Sequence, residues 1–346
     1  MDTWRVNHGQ NRKVVVMLPG MTKDFWKNLK RPILALAPMD GYTDSAFRRI
    51  VRSMNTDVVV FTEFTSAEGL RHGAQKIIDR FHFVPEEQPI IAQIFGNDIS
   101  SFTEAAHWLE DRGFSGIDIN MGCPAPHVVK SEQGVALRTN PDRAYALVEA
   151  VANATAIPVS VKTRLGWESA DGLLAFGQGL ENAGARCIII HGRTYVEPYH
   201  VPADFEPILE LKRNVTIPVI GNGGITSLAD GEQKLGNLDG FMIARASIGN
   251  PWVFSRNGPP TFVERIPIIR EHVRLLIELK GSKVGMLDIR KHLSGYIKGI
   301  PGASRYRMDL VRATSAEQID AVLDRIAATI RDVNVPVYAK ELTADT

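Results

Sequence analysis

Short apolar runs alternate with helix-length amphipathic segments between Ile33 and Ala244. Eight of these runs are continuous and rich in β-branched residues, the pattern of strands that are buried on both faces. We predict these strands at Ile33–Pro38, Val58–Thr62, Ile90–Phe95, Gly116–Asn120, Pro158–Thr163, Cys187–His191, Pro218–Gly221 and Asp239–Ala244. We predict the intervening helices at Ser100–Arg112, Pro141–Asn153, Asp171–Asn182 and Thr226–Leu235.

Eight strand–helix units of this combined length predict an α/β fold of the (β/α)8 (TIM) barrel type. A doubly wound sheet is the alternative, because the number of strands does not show whether the sheet closes. Small and polar residues follow every predicted strand, including Met39-Asp40, Glu63 and Arg245. The carboxyl ends of the strands form the active face of such a barrel, so the pattern favours a catalytic protein.

The pattern changes after Pro251-Trp252. A turn-rich stretch, 256–260, leads into four segments with apolar residues at helical spacing. These segments are Ile266–Lys280, Asp288–Lys298, Ser304–Arg312 and Ala316–Asp332. We therefore predict an N-terminal extension over 1–30, a barrel over 31–255 and a small helical bundle domain over 256–346.

Two cysteines in 346 residues exclude a disulfide framework and indicate a reducing compartment. The sequence has no CxxC motif and no Cys/His cluster, so we expect no protein-bound metal. The N-terminal apolar stretch Val14–Leu18 is too short for a signal peptide or a membrane span. We expect a cytoplasmic protein that does not enter the membrane.

The formal net charge is only +1, but the charges are unevenly distributed. From Arg256 to Arg312, 12 Lys and Arg stand against 5 Asp and Glu, a net charge of +7. Such a block suits a polyanionic partner, and it equally suits a solvated helical face.

Loops that contain small residues follow each of the last two predicted strands. The first is Gly221-Asn222-Gly223-Gly224 and the second is Ala244-Arg245-Ala246. Such loops let backbone N–H groups approach phosphate oxygens, and barrels often bind a phosphate after strands seven and eight. Each loop alone is compatible with an ordinary turn, but the two together favour a phosphate-bearing cofactor.

Three polar residues at strand ends have more than one interpretation. Lys162 would meet either an anionic or cofactor acceptor, or the carboxylate of Glu63, because a barrel interior does not tolerate an unpaired ammonium. Gln93 can donate and accept, which suits the edge of a flavin or a uracil. His191, beside Arg193, either contacts an anionic or electron-rich ring or is a satisfied structural histidine.

Cys123 lies between a glycine and a proline, directly after the fourth predicted strand. As a nucleophile it would need an activating base nearby. As a proton donor it need only be a thiol close to the reacting carbon. The third interpretation, a small buried apolar residue, fits Cys187 within its Cys-Ile-Ile-Ile strand better.

Taken together, and in the order in which they occur, these motifs resemble those of the tRNA-dihydrouridine synthases. The resemblance extends from about Ile33 to Arg312, and the cysteine motif and Gly249-Asn250-Pro251-Trp252 are its most specific parts. The other matching motifs are Ala37-Pro38-Met39, Thr62-Glu63, Gln93-Ile94-Phe95-Gly96, Val161-Lys162-Thr163-Arg164-Leu165-Gly166-Trp167, His191-Gly192-Arg193-Thr194, Pro218-Val219-Ile220-Gly221-Asn222-Gly223, Arg290-Lys291-His292 and Tyr296.

The resemblance implies an FMN-dependent barrel followed by a helical tRNA-binding domain, with NADPH as the electron donor. It implies that Cys123 is the catalytic proton donor. The residues that it places around FMN are Pro38, Met39, Asp40, Gln93, Lys162, His191, Asn222, Gly223, Gly224, Ala244 and Arg245. Contacts to the uracil or the tRNA are expected from Asn120, Arg164, Arg290, Lys291, Tyr296, Arg305 and Arg307.

The reaction that the resemblance implies is reduction of the C5–C6 double bond of particular uridines in tRNA. Reduced flavin would deliver hydride to C6, and Cys123 would protonate C5. A thiol near its ordinary pKa of ~8.5 is mostly protonated at neutral pH and is a competent acid. We expect a monomer. Two alternatives are an FMN barrel acting on a free pyrimidine or enone, and an RNA-binding relative without catalysis.

Overall fold

The computed structural model describes residues 25–332. Residues 1–24 of the predicted N-terminal extension and residues 333–346 of the predicted helical domain therefore lie outside the described residues. The strands are β1 Ile33–Leu36, β2 Val60–Phe61, β3 Thr65–Ser66, β4 Ile90–Phe95, β5 Gly116–Met121, β6 Val159–Arg164, β7 Cys187–His191, β8 Val219–Asn222 and β9 Gly240–Ile243. The helices are α1 Phe25–Asn28, α2 Ser45–Met54, α3 Ala67–Arg71, α4 Gln75–Ile78, α5 Ile99–Asp111, α6 Pro126–Lys130, α7 Pro141–Ala154, α8 Leu173–Asn182, α9 Glu206–Arg213, α10 Leu228–Gln233, α11 Phe262–Asp288, α12 Arg290–Tyr296, α13 Ala303–Arg312 and α14 Ala316–Asp332.

The parallel strands follow one another around the sheet in chain order, and the last strand returns to the first. β9 pairs with β1 in parallel, with Ile33 opposite Gly240. Val59, next to β2, bridges to Ala35 of β1 and accepts a hydrogen bond from Leu36 N at 2.9 Å. The doubly wound alternative is therefore rejected, because in an open sheet the first and last strands do not meet. The (β/α)8 prediction is confirmed.

The barrel interior changes character along its axis. Near the amino ends of the strands it is apolar, and α1 packs against this end, with Trp26 stacked on Phe61 at 6.3 Å between ring centroids. Toward the carboxyl ends, the fully buried positions Gln93 and Asp118 are polar. Buried polar groups need hydrogen-bond partners, so this upper layer has to form a network.

Helices α11–α14 form a second apolar core beyond the barrel. Leu276, Leu293 and Leu323 lie in this core, together with Ala46 and Ile50 from helix α2 of the barrel. The predicted helical C-terminal region is thus confirmed. Within 25–332, none of the helices has the length and apolar character that crossing a bilayer demands.

Helix α11 differs from the prediction. It begins at Phe262, ahead of the predicted start at Ile266, because Thr261 and Glu264 form a reciprocal capping box. It continues to Asp288, which we predicted as the first residue of the next helix. In place of the predicted break between the two helices, the structure has a kink at Gly281 with φ +77°. Glycine tolerates this left-handed conformation without steric cost, so the chain changes direction there.

The sequence predictions do not include helices α1, α2, α3, α4, α6 and α9 or the two-residue strand β3. Helix α2 does carry a start signal, because the Asp44 carboxylate accepts a hydrogen bond from Phe47 N at 3.1 Å. Helix α10 is shorter than predicted and begins at Leu228, because the hydroxyl of Ser227 caps it by accepting from Asp230 N.

Candidate functional site

A cleft of about 1750 Å³ opens at the carboxyl ends of the barrel strands and extends to the helical region. Arg265, Gly295 and Lys298 line it on the helical side. Most of the residues singled out from the sequence also line it, namely Pro38, Met39, Asp40, Gln93, Asn120, Cys123, Lys162, Arg164, His191, Asn222, Gly223, Gly224, Ala244 and Arg245. Motifs that are up to about 200 residues apart in sequence therefore meet in one site, as expected for a barrel.

The loop that carries Cys123 is held by hydrogen bonds from both sides. Asn120 Oδ1 accepts from Gly122 N at 3.1 Å and from Cys123 N at 2.9 Å. Arg164 Nε donates to Gly122 O at 3.0 Å, and the Cys123 carbonyl accepts from Val135 N at 3.2 Å. The half-buried thiol is thus presented on a braced backbone.

Burial raises the pKa of the Cys123 thiol above its ordinary value. A reactive cysteine nucleophile needs the opposite shift, toward the thiolate. A proton donor needs the proton in place at neutral pH, which the raised pKa ensures. The electrostatics therefore favour the acid over the nucleophile. Cys187 is fully buried in β7, which agrees with its interpretation as a packing residue.

Lys162 lies near the end of β6, and no carboxylate of the described residues is in hydrogen-bond contact with it. Its Nζ donates to Asn222 Oδ1 at 3.2 Å. Glu63 is engaged elsewhere, because it accepts from Gly41 N, so the proposed Lys162–Glu63 pair does not form. Burial lowers the pKa of Lys162 to about 8, although the charge of Asp118 opposes this shift. A buried ammonium with only an amide partner is suited to receive an anionic or strongly accepting ligand.

His191 is a neutral imidazole. Arg193 Nη1 lies 3.0 Å from His191 Nε2, and a guanidinium can only donate, so Nε2 accepts and Nδ1 carries the proton. Burial, followed by the charges of surrounding Lys and Arg side chains, lowers the pKa of His191 to about 2. His191 therefore stays uncharged at neutral pH and can serve as a hydrogen-bond donor but not as a general acid.

The loops after β8 and β9 have the backbone shapes expected for an anion cradle. Gly223 adopts φ +120°, and a Cβ at this position would lie 2.7 Å from His191 Cδ2 and 3.0 Å from Ala203 Cβ. Gly224 adopts φ +63°. The Arg245 guanidinium has no ion pair with any described residue and lies 4.9 Å from the Tyr199 ring centroid. Its charge is available to a ligand.

The charged lining of the cleft is predominantly basic. The acidic members are Asp40, which pairs with Arg80 at 2.7 Å, and Glu232. The basic members are Lys162, Arg164, Arg193, Arg245, Arg256, Arg265 and Lys298. Such a lining attracts and concentrates anionic ligands. Because the Asp40 side chain is turned toward Arg80, its expected contact to a cofactor would have to come from its backbone.

Five of the predicted tRNA-contacting residues lie outside the cleft, and the structure overturns one of them. Tyr296 is fully buried in the second core, and its hydroxyl contacts His272 Nδ1 at 2.8 Å. The prediction that it contacts tRNA is wrong, because this ring packs inside the helical region. Arg290 is half-buried and donates to Ala313 O at 3.2 Å. Arg305 and Arg307 are exposed on α13.

Lys291 is exposed but already has partners. Its Nζ donates to Gly41 O at 3.1 Å and to Asp288 Oδ1 at 2.8 Å. It therefore ties the helical region to the first barrel loop, whether or not it also meets a ligand.

Tyr199 is a cleft residue that the sequence analysis missed. It is half-exposed, it stacks on His191 with 6.0 Å between centroids, and its hydroxyl lies 3.3 Å from Arg164 Nη2. Its position after the His-Gly-Arg-Thr motif is the only sequence signal that could have found it. Asp118 was missed as well, because it lies inside the predicted strand Gly116–Asn120 and not at its end.

The closed parallel barrel and its basic, glycine-lined cleft define a (β/α)8-barrel protein whose site is built for an anionic ligand. The family model described as "Dihydrouridine synthase (Dus)" matches residues 35–334. The chain therefore belongs to the dihydrouridine synthase family.

Named relatives agree with this family. The chain is 35% identical to "Probable tRNA-dihydrouridine synthase 1" of Synechocystis over 85% of this chain and 86% of that protein. It is 34% identical to "Probable tRNA-dihydrouridine synthase 2" of Bacillus subtilis over 88% and 97%. Among solved structures, mandelate oxidase matches with a TM-score of 0.43 and 16% identity over 84% of this chain and 77% of that one, a likeness too distant to carry an argument.

Proposed function

We propose that this protein reduces the C5–C6 double bond of uridines in tRNA to 5,6-dihydrouridine, with FMN as cofactor and NADPH as reductant. Family membership and the names of the relatives support uridine in tRNA as the substrate. The observation that carries the chemistry is the half-buried thiol of Cys123, which is braced at the mouth of a basic cleft and whose pKa is raised by burial.

The residues of the cleft fit a phosphate-bearing flavin. The backbone of Gly223 and Gly224 and the unpaired guanidinium of Arg245 would hold its phosphate. Lys162 and Gln93 would contact the polar edge of its ring, since Lys162 has only an amide partner. When bound and reduced, FMN supplies the hydride for C6 of the uracil.

The chain's own residues then supply the proton and the orientation. Negative charge develops toward C5 and O4 of the uracil, and Cys123 Sγ holds the proton that C5 receives. The second hydrogen of Asn120 Nδ2 and the Nδ1–H of His191 are donors available to orient the base. The target nucleotide has to leave its stack to enter a cleft at the barrel mouth.

The helical region would bind the tRNA backbone. Five exposed basic side chains have no ion pair with another described residue, namely Lys283, Lys298, Arg305, Arg307 and Arg312. Lys298 also lines the cleft, so this set extends from the site toward α13. Unpaired exposed cations are the groups that can neutralise phosphates and release counterions.

The test compares substrates with purified protein and NADPH. We expect the protein to carry bound flavin, to form dihydrouridine in an unmodified tRNA transcript and to leave free uridine unchanged. Reduction of free uridine or of a simple enone at a comparable rate would contradict a tRNA substrate and favour a small-molecule reductase. Flavin-free protein that binds tRNA without reducing it would contradict the enzymatic function.

A further inference from the structure

Asp118 is a fully buried carboxylate of β5, in register with Gln93 of β4 and Ser160 of β6, and it does not itself line the cleft. Each of its oxygens accepts one hydrogen bond. Ser160 Oγ donates to Oδ1 at 2.7 Å, and Gln93 Nε2 donates to Oδ2 at 2.7 Å. Burial raises the pKa of Asp118 to about 6, so the carboxylate is ionised at pH 8.

From Asp118 a chain of hydrogen bonds extends to the Cys123 loop. Gln93 Oε1 accepts from Asn120 Nδ2 at 3.0 Å. Asn120 Oδ1 in turn accepts the backbone N–H groups of Gly122 and Cys123. Two side-chain amides therefore separate the buried carboxylate from the backbone that presents the thiol.

The two ends of this chain fix its direction. An ionised carboxylate can only accept, and a backbone N–H can only donate. Between Asp118 and the N–H of Cys123, the amides of Gln93 and Asn120 can satisfy every contact in one orientation only. Rotating either amide would place donor against donor or acceptor against acceptor.

We propose that Asp118 is a positioning residue that fixes the amide orientations of Gln93 and Asn120 and, through them, the shape of the Cys123 loop. The inference goes beyond the proposed function, because it concerns hydrogen bonds within the protein and not the reaction. It also determines which polar atoms of Gln93 remain for a ligand, namely one Nε2 hydrogen and one Oε1 lone pair.

The test reverses the donor-to-acceptor order of the hydrogen bonds between positions 118 and 120. Asn120→Asp puts an acceptor at both ends of Gln93, so one of the two carboxylates must face the Gln93 oxygen. Asp118→Asn alone is mild, because its oxygen still accepts from Gln93 and the Ser160 hydroxyl can rotate to accept from its NH₂ group. In Asp118→Asn/Asn120→Asp, Gln93 can turn over and satisfy both neighbours again.

The measurement is the thermal unfolding midpoint of the as-purified protein at pH 8. We expect Asn120→Asp to lower it by several degrees, or to prevent folding, and the double variant to recover at least half of the loss. A double variant that is no more stable than Asn120→Asp, or that does not fold, would overturn the proposal. Full stability of Asn120→Asp alone would overturn it as well.

A control separates directed hydrogen bonding from simple repulsion between two carboxylates. Gln93→Met keeps the length of the side chain but removes its amide, so repulsion persists while the directed connection is lost. We expect the recovery to shrink markedly in this background. A recovery of unchanged size would show that charge repulsion alone couples the two positions. Failure of this inference would leave the tRNA reduction assay unaffected, so the two proposals can be judged separately.

Discussion

The barrel mouth and the helical region both contain many polar side chains, but they use them differently. In the barrel, Gln93 and Asn120 each bond to defined partners, and the loop of Cys123 is held by the same network. In the helical region, Arg305 and Arg307 are exposed and form no ion pair with any residue in 25–332. A site that handles a reacting atom requires fixed geometry, whereas a surface that meets phosphates requires only available charge.

The comparison also shows that a count of charges overstates the free basic surface. Of the basic residues in the helical region, Arg270 pairs with Asp320 and Asp324, and Arg274 pairs with Glu271 and Glu278. These cations are neutralised by the fold itself. A polyanion would therefore meet chiefly those basic residues that have no ion pair with another described residue.

The largest expected effect concerns the contact between the two regions. Lys280 of α11 donates to Asp44 Oδ2 at 2.6 Å and to Asp288 Oδ2 at 2.7 Å, and Asp44 is almost fully buried. Lys280→Met leaves the buried Asp44 carboxylate without its ion-pair partner, while Asp288 keeps Lys291. We expect this change to lower the free energy of unfolding by about 3 kcal/mol. Urea titration monitored by circular dichroism measures this loss.

A second substitution sharpens this test. Asp44→Asn keeps a side-chain acceptor for Phe47 N and removes the unpaired charge. We expect Lys280→Met/Asp44→Asn to be more stable than Lys280→Met. Equal losses in the two variants would mean that the ion pair does not hold the helical region to the barrel.

The next effect concerns the barrel mouth and its pH dependence. The pKa of His191 is lowered to about 2 in the folded protein, so the unfolded chain binds the proton first as the pH falls below 6.5. The stability from a neutral His191 is complete above that pH and is lost toward acid, by about 2 kcal/mol between pH 7 and pH 5.

His191→Gln provides the control, because its amide oxygen can still accept from Arg193. The acid-induced loss in the wild type should exceed that in His191→Gln by about the same 2 kcal/mol, measured as the free energy of unfolding at the two pH values. An equal acid-induced loss of stability in the two proteins would contradict this account, because it would mean that His191 binds a proton as readily in the folded protein as in the unfolded chain.

The smallest expected effect concerns the free basic surface, and two double variants with the same net charge test it. Arg305→Gln/Arg307→Gln should weaken tRNA binding about tenfold and reduce the salt dependence by about two counterions. Arg270→Gln/Arg274→Gln removes two cations that are already paired and should leave the affinity nearly unchanged. Equal losses, measured by filter binding, would mean that only the total charge matters.

Much of the barrel could be predicted because strands that are buried on both faces leave a strong local signal. The bounds of β4 and β7 agree with the prediction to the residue. Closure could not be predicted, because it depends on Val59 meeting Ala35, a contact that no local pattern encodes. Helix α2 was missed although Asp44 caps it.

The candidate site was predictable where chemistry and strand ends coincide, as for Cys123, Lys162 and His191, all of which line one cleft. It was not predictable where tertiary packing decides. Tyr296 matches a motif but is buried, and Asp118 carries a charge in a strand whose pattern looks merely apolar. Burial and partners of such residues depend on neighbours that are distant in sequence.

The central claim is that Cys123 is the proton donor, and the most direct measurement is single-turnover dihydrouridine formation by Cys123→Ala. We predict unchanged flavin content and tRNA affinity, with a rate at least about 100-fold lower than that of the wild type. Cys187→Ala, which removes the other, buried thiol, should keep the wild-type rate. Dihydrouridine formation by Cys123→Ala at the wild-type rate would contradict the account.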